Sequence, residues 1–197
     1  MKKYFMFFAI FGMAVIFGGC AKVPQVELDA ANVALEQAVS AQADVYLEAE
    51  YLALQDSMNV INTEIEAQKS KLFGNMNDPK QKLIDVAALA TELVTKTETR
   101  KEEIKTEVEL ALSALVTLMD ENNNYVEMVP KGKEGKEAIE AIKSELAAIA
   151  TSATEVQGLL ESGELLAAQT KVNAASQKAT DINTELKTVM EKYMKKN

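Results

Sequence analysis

The chain has no histidine and no tryptophan, one cysteine at position 20, and three prolines at positions 24, 79 and 130. The missing imidazole excludes histidine general acid–base catalysis, zinc sites that need histidine, and Ser-His or Cys-His triads. A lone cysteine has no partner in the chain with which to form a disulfide. Sustained period-two alternation bounded by turn residues is also missing, which removes strands from the expected fold. Basic residues are in deficit, 21 against 30 acidic, for a net charge of −9. Such a surface repels phosphate backbones, so nucleic acid is not an expected partner. Catalysis would have to run on carboxylates, Lys, Ser or Tyr alone; no catalytic residue is identified, and the expectation is a protein that is not an enzyme.

What is present begins with a leader. Met1-Lys2-Lys3 is basic, Tyr4 to Phe17 is apolar and uncharged, and Gly18-Gly19 supplies the small residues of a cleavage site. The apolar run is shorter than the ~20 residues of a spanning helix. It reads as an export signal over residues 1–19. Phe17-Gly18-Gly19-Cys20 resembles the lipobox of bacterial lipoproteins, with Phe17 where that family prefers Leu. The resemblance implies that the Cys20 thiol carries a diacylglyceryl group and that its freed amino group takes a fatty acyl chain such as palmitate. Cys20 is then a membrane anchor and residues 20–25 a lipidated tether. In lipoproteins of enteric-type bacteria an Asp at the place of Ala21 favours inner-membrane retention, so the resemblance implies the outer membrane, with the protein facing the periplasm.

The remainder is rich in Ala, Leu, Glu, Lys and Gln, all good helix formers. Three-four apolar spacing predicts helices from Val26 to Leu72, Pro79 to Glu121, Lys136 to Ser162 and Glu164 to Lys195. The first stripe, through Leu28, Ala31, Leu35, Ala38, Val45, Ala49 and Leu52, shifts phase before Met58, Ile61 and Ile65. The expected fold is all-α: an elongated up-down-up-down bundle of four long antiparallel helices, the first hairpin longer than the second. Its domains are a hairpin over 26–121 with a tip at 73–78, a loop over 122–135, and a second hairpin over 136–197 packing on the first. A lipobox followed by Ala-rich hairpins is similar to periplasmic helical-bundle lipoproteins. Inside the second predicted helix, the polar run Thr95 to Glu103 reads as a wet face or a bend. An internal echo links Lys82-Leu83, Ala90-Thr91, Thr95 and Thr99 to Lys171-Val172, Ala179-Thr180, Thr184 and Thr188, 89 residues on.

Candidate contact residues are Phe73 and Met76 at the tip, and Tyr125 and Met128 in the loop. Asp120, Asn122 and Asn124 share the alternate spacing that opens a calcium loop, but Tyr125 and Lys131 stand where such a loop needs Gly and Glu. No metal and no cofactor beyond the acyl groups on Cys20 is expected. The functional expectation is a lipid-anchored envelope protein with a structural or protein-interaction role, meeting an envelope partner through a helix face or the tip, and open to homo-oligomerisation. The alternative is a helical module that binds an apolar ligand or lipid.

Overall fold

A computed structural model of the chain describes residues 22–129 and 135–196. Among them the structure is all-helical: α1 Gln25–Ser40, α2 Ala43–Tyr46, α3 Glu48–Lys69, α4 Asn77–Met128, α5 Gly135–Ser162 and α6 Leu165–Lys196. The chain divides into two compact units, Met1–Thr99 and Arg100–Asn197. α4 contributes its first part to one and its second part to the other.

In the first unit, α1 starts behind Pro24, whose carbonyl accepts the Leu28 N–H at 3.0 Å. It buries Ala31, Ala34 and Ala38, small side chains that let helices approach closely. Periodicity predicts that this helix continues to Leu72. It stops at Ser40 instead, and Gln42 turns the chain with a left-handed φ of 67°. One helical turn, α2, makes the corner, and Ala43 is its buried residue. Val45 and Leu52, on the predicted stripe, are consequently exposed. α3 resumes with a new stripe, Leu54, Met58, Ile61 and Ile65. The first hairpin is therefore not the longer one: α3 has 22 residues and α5 has 28.

Side-chain pairs fix the helix directions. Lys82 pairs with Glu64 at 2.7 Å, and the field of Glu50 reaches Lys96, so α3 and α4 are antiparallel. Lys80 pairs with Glu27 at 2.9 Å. α1 thus begins beside the beginning of α4 and runs parallel to it, ending at the corner that starts α3. The lengths agree: 16 residues of α1 span ~24 Å, as does α4 from Lys80 to Lys96. Ala31, Ala34 and Ala38 share one core with Leu54, Met58, Ile61, Ile65, Met76, Leu83, Val86, Ala90 and Leu93.

α4 runs unbroken through the polar run. Thr97 occupies its seam position fully buried, and its hydroxyl donates to the Leu93 carbonyl at 2.7 Å. The second unit repeats the arrangement of the first. Gln169 donates to Glu107 at 2.8 Å and the Asn183 amide to Asn122 at 2.7 Å, so α6 runs parallel to the second part of α4. Lys171 pairs with Glu155, and α5 is antiparallel to α6. Their connection is a Schellman turn: Glu164 N–H bonds the Leu159 carbonyl at 2.9 Å, Gly163 N–H the Leu160 carbonyl at 3.2 Å, and Gly163 takes φ at 79°.

The echo in the sequence has a structural counterpart. At the same separation of 89, Lys80 and Gln169 each bond a glutamate on the first helix of their unit, Glu27 and Glu107. Two residues further, Lys82 and Lys171 each bond a glutamate on the middle helix, Glu64 and Glu155. The core positions follow in step: Leu83 and Val172, Val86 and Ala175, Ala90 and Ala179, Leu93 and Ile182 are all buried. Each unit is one copy of the same three-helix pattern, clasped twice at corresponding levels.

Candidate functional site

Cys20, the anchor implied by the lipobox resemblance, lies outside the described residues, as do the leader before it and Pro130 and Lys131. What the structure locates is where the chain leaves that segment. Lys22 to Pro24 lead into α1, Val23 packs against the core of the first unit and Pro24 is buried. Glu27 pairs with Lys80 near the starts of α1 and α4, and Val23 and Met76, which come just before those starts, pack on the same core. The entry of the chain and the α3–α4 tip are therefore at one end of this unit. A single helix from Val26 to Leu72 would have set them at opposite ends.

The tip is held by short-range bonds. Ser70 N–H bonds the Glu66 carbonyl at 3.2 Å, Asn75 N–H bonds the Gln68 side-chain oxygen at 3.2 Å, and Asn77 N–H bonds the Asn75 side-chain oxygen at 2.9 Å. Phe73 projects outward, 90% exposed, with Leu72 beside it at 76%. Met76 does not join them. It turns inward onto the core with Leu83, so of the two proposed tip contacts only Phe73 is on the surface.

The stretch expected as an irregular loop continues α4 to Met128. The reason is Asn122, which is fully buried. Its amide donates to the Ala179 carbonyl at 2.8 Å, and its side-chain oxygen accepts from Asn183 at 2.7 Å. On a helix, positions two apart point to opposite sides. Asp120 and Asn124 are accordingly exposed while Asn122 is inside, and the three oxygens do not converge as a calcium loop requires. No group of three or more acidic or thiol side chains placed to hold a metal occurs among the described residues. The same periodicity divides the apolar residues that follow: Val126 and Val129 are buried, Tyr125 is half-buried and Met128 is exposed. The Lys187 ammonium lies 5.8 Å from the centre of the Tyr125 ring and pairs with Glu121 at 3.1 Å. The Asn122–Asn183 pair escaped sequence reasoning, although Asn122 does sit four residues after Leu118, on the stripe.

Two open grooves run along the hairpins. The one between α5 and α6 has a volume of about 980 Å³, with Ala148, Ile149, Ala174 and Ala175 among its lining and Lys171, Lys178, Asp181 and Glu185 charged along it. The one between α3 and α4 is about 410 Å³, and includes Val60, Ile61, Val86, Leu89 and Lys82. Lys82 and Lys171 correspond in the repeat, as do Val86 and Ala175, so the grooves lie on equivalent faces.

In three of the helix-joining ion pairs, Glu27, Lys82, Glu121 and Lys187 are shifted. The hydrogen bond from Lys80 holds the Glu27 carboxyl below its ordinary 4.5, and Lys187 does the same for Glu121. Glu64 pushes Lys82 above its ordinary 10.5, and Glu121 pushes Lys187. The two carboxylates add stability that is present above pH 4.5 and lost as pH falls through their lower folded values. The two lysines add stability that is present below pH 10.5 and lost as pH rises through their higher folded values. The four shifted groups are held below 4.5 or above 10.5, and the chain has no histidine. The melting temperature is therefore expected to be flat from about pH 6 to pH 9, falling on either side, in circular-dichroism melts across that range. No protein-family model, curated protein or solved structure matches this chain.

Proposed function

We propose that the chain is a bacterial cell-envelope lipoprotein, held to the outer membrane by acyl chains on Cys20 and facing the periplasm, with a structural or protein-interaction role carried by its helix faces. The observation that carries this reading is the series of basic start, apolar run, Gly18-Gly19 and Cys20, standing five residues before the first helix. Each buried methylene is worth ~0.8 kcal/mol, so one acyl chain binds reversibly while two or three bind durably. The corresponding experiment is fractionation of cells that make the wild type or Cys20→Ser, with fatty-acid labelling. Wild type is expected in the membrane fraction and labelled, and Cys20→Ser released and unlabelled. Equal distribution of the two without label would contradict the anchor.

A second reading, a module that holds an apolar molecule, draws support from the volume of the α5–α6 groove, which is within the ~300–1,000 Å³ of ligand sites. It ranks lower because two helices alone form that groove and charged side chains run along it. Saturable binding of a fluorescent fatty acid, lost in Ala174→Glu, would reverse the order.

A further inference from the structure

Among the described residues, the three most exposed large apolar side chains are Phe73, Val26 and Leu72, at 90%, 77% and 76%. They come from two separate segments, the first turn of α1 and the α3–α4 tip, and the Glu27–Lys80 pair brings those segments to one end of the first unit. The same end receives the chain from Cys20. One residue, Ala21, separates Cys20 from Lys22, and the two Cα–Cα steps between them reach at most ~7 Å. On the lipid-anchor reading, an acyl group on Cys20 is attached within that reach of Lys22 and so near this apolar end. Lys22 and Lys71 are exposed there, and Lys69 pairs with Glu66 in the last turn of α3.

We infer that the Leu72-Phe73 tip, together with Val26, is a second membrane contact, seated in the phospholipid surface that carries the anchor. The inference rests on the lipid-anchor reading. A phenylalanine with almost its whole ring in water is unfavourable, and at an acyl–headgroup boundary it is buried without any change in the fold. Lysines flanking it can keep their ammonium groups among the headgroups while their stems lie along apolar surface. A chain tethered at Cys20 alone could swivel about its tether. With the tip seated as well, the first unit stands on the bilayer by one defined end, and its corner at residues 41–47 is ~24 Å further out.

The absence of tryptophan provides the test. Phe73→Trp and, at the corner, Val45→Trp are made separately in the full chain, purified from membranes with Cys20 acylation checked by mass. Each is reconstituted in phosphatidylethanolamine–phosphatidylglycerol vesicles with or without brominated acyl chains. The inserted Phe73→Trp fluorophore is expected to emit to the blue of its detergent-free, water-exposed reference and to lose about half its intensity to bromine, as a side chain ~5–10 Å into the boundary would. The Val45→Trp fluorophore is expected to show neither effect. If Cys20 is acylated and the two variants are equally water-like, the tip does not meet the bilayer, and a protein partner or second copy becomes its occupant while the anchor stands. If Cys20 is not acylated, the anchor reading falls and this inference with it. Phe73 is a surface residue, so the substitution leaves the fold intact, which circular dichroism verifies.

Discussion

Leu83→Ala is expected to lower the stability of the protein by about 2–5 kcal/mol. Leu83 is fully buried, in the core that also holds Met76, Val86 and Ile65. Removing the isopropyl part of its side chain forfeits the burial of three carbons and leaves a void. The helices packed around it relax only partially into the gap. Leu83→Met, which keeps the volume, is expected to cost less than about 1.5 kcal/mol. Val172 is the corresponding residue of the second unit and is equally buried. With one carbon fewer to lose, Val172→Ala should cost less than Leu83→Ala, by roughly 0.8 kcal/mol before cavity effects. Urea melts followed at a helical wavelength measure all three. A Leu83→Ala change within experimental error of zero would mean that α1, α3 and α4 do not form this core.

Asn122→Leu is expected to cost about 1–3 kcal/mol, because it strands a polar partner rather than because it loses one bond. Asn183 is 7% exposed and donates its amide to the Asn122 oxygen. With leucine at 122 that amide keeps only the Glu121 carboxylate, its other hydrogen-bond partner, and little access to water. Asn122→Leu with Asn183→Leu should recover most of the loss, since both buried polar groups then leave together. The four members of the cycle give a coupling energy whose favourable sign in the wild type identifies the pair as a unit. If the double variant were destabilised by the sum of the singles, the two asparagines would be acting independently.

Much of the secondary structure is legible from periodicity. Gly163 after a clean stripe in α5 marks the turn to α6, and Asp78-Pro79 marks the start of α4 to within two residues. The rest is hidden for identifiable reasons. A left-handed Gln42 carries no compositional signal, and the alanine stripe around it is as compatible with a continuous helix as with two. Missing that one residue reverses the direction of α1 relative to α3. It moves the tip from the far end of a long hairpin to the end where the chain enters. Polarity misleads at the other end of α4: Asn122 reads as a helix exit because Asn favours exits, whereas here a partner 61 positions away satisfies it inside the core. Met76 reads as a tip residue by its neighbours, although it is the first residue to return to the core. In each case the deciding interaction is long-range, and the local pattern is consistent with two outcomes.

Trypsin cleavage of the membrane-extracted protein after Lys22 would isolate the segment on which the functional reading depends. Mass spectrometry is expected to find Cys20-Ala21-Lys22 carrying a diacylglyceryl group and an amide-linked acyl chain, with nothing before Cys20. An unmodified Cys20, or a peptide that still contains Gly18-Gly19 ahead of it, would contradict the account.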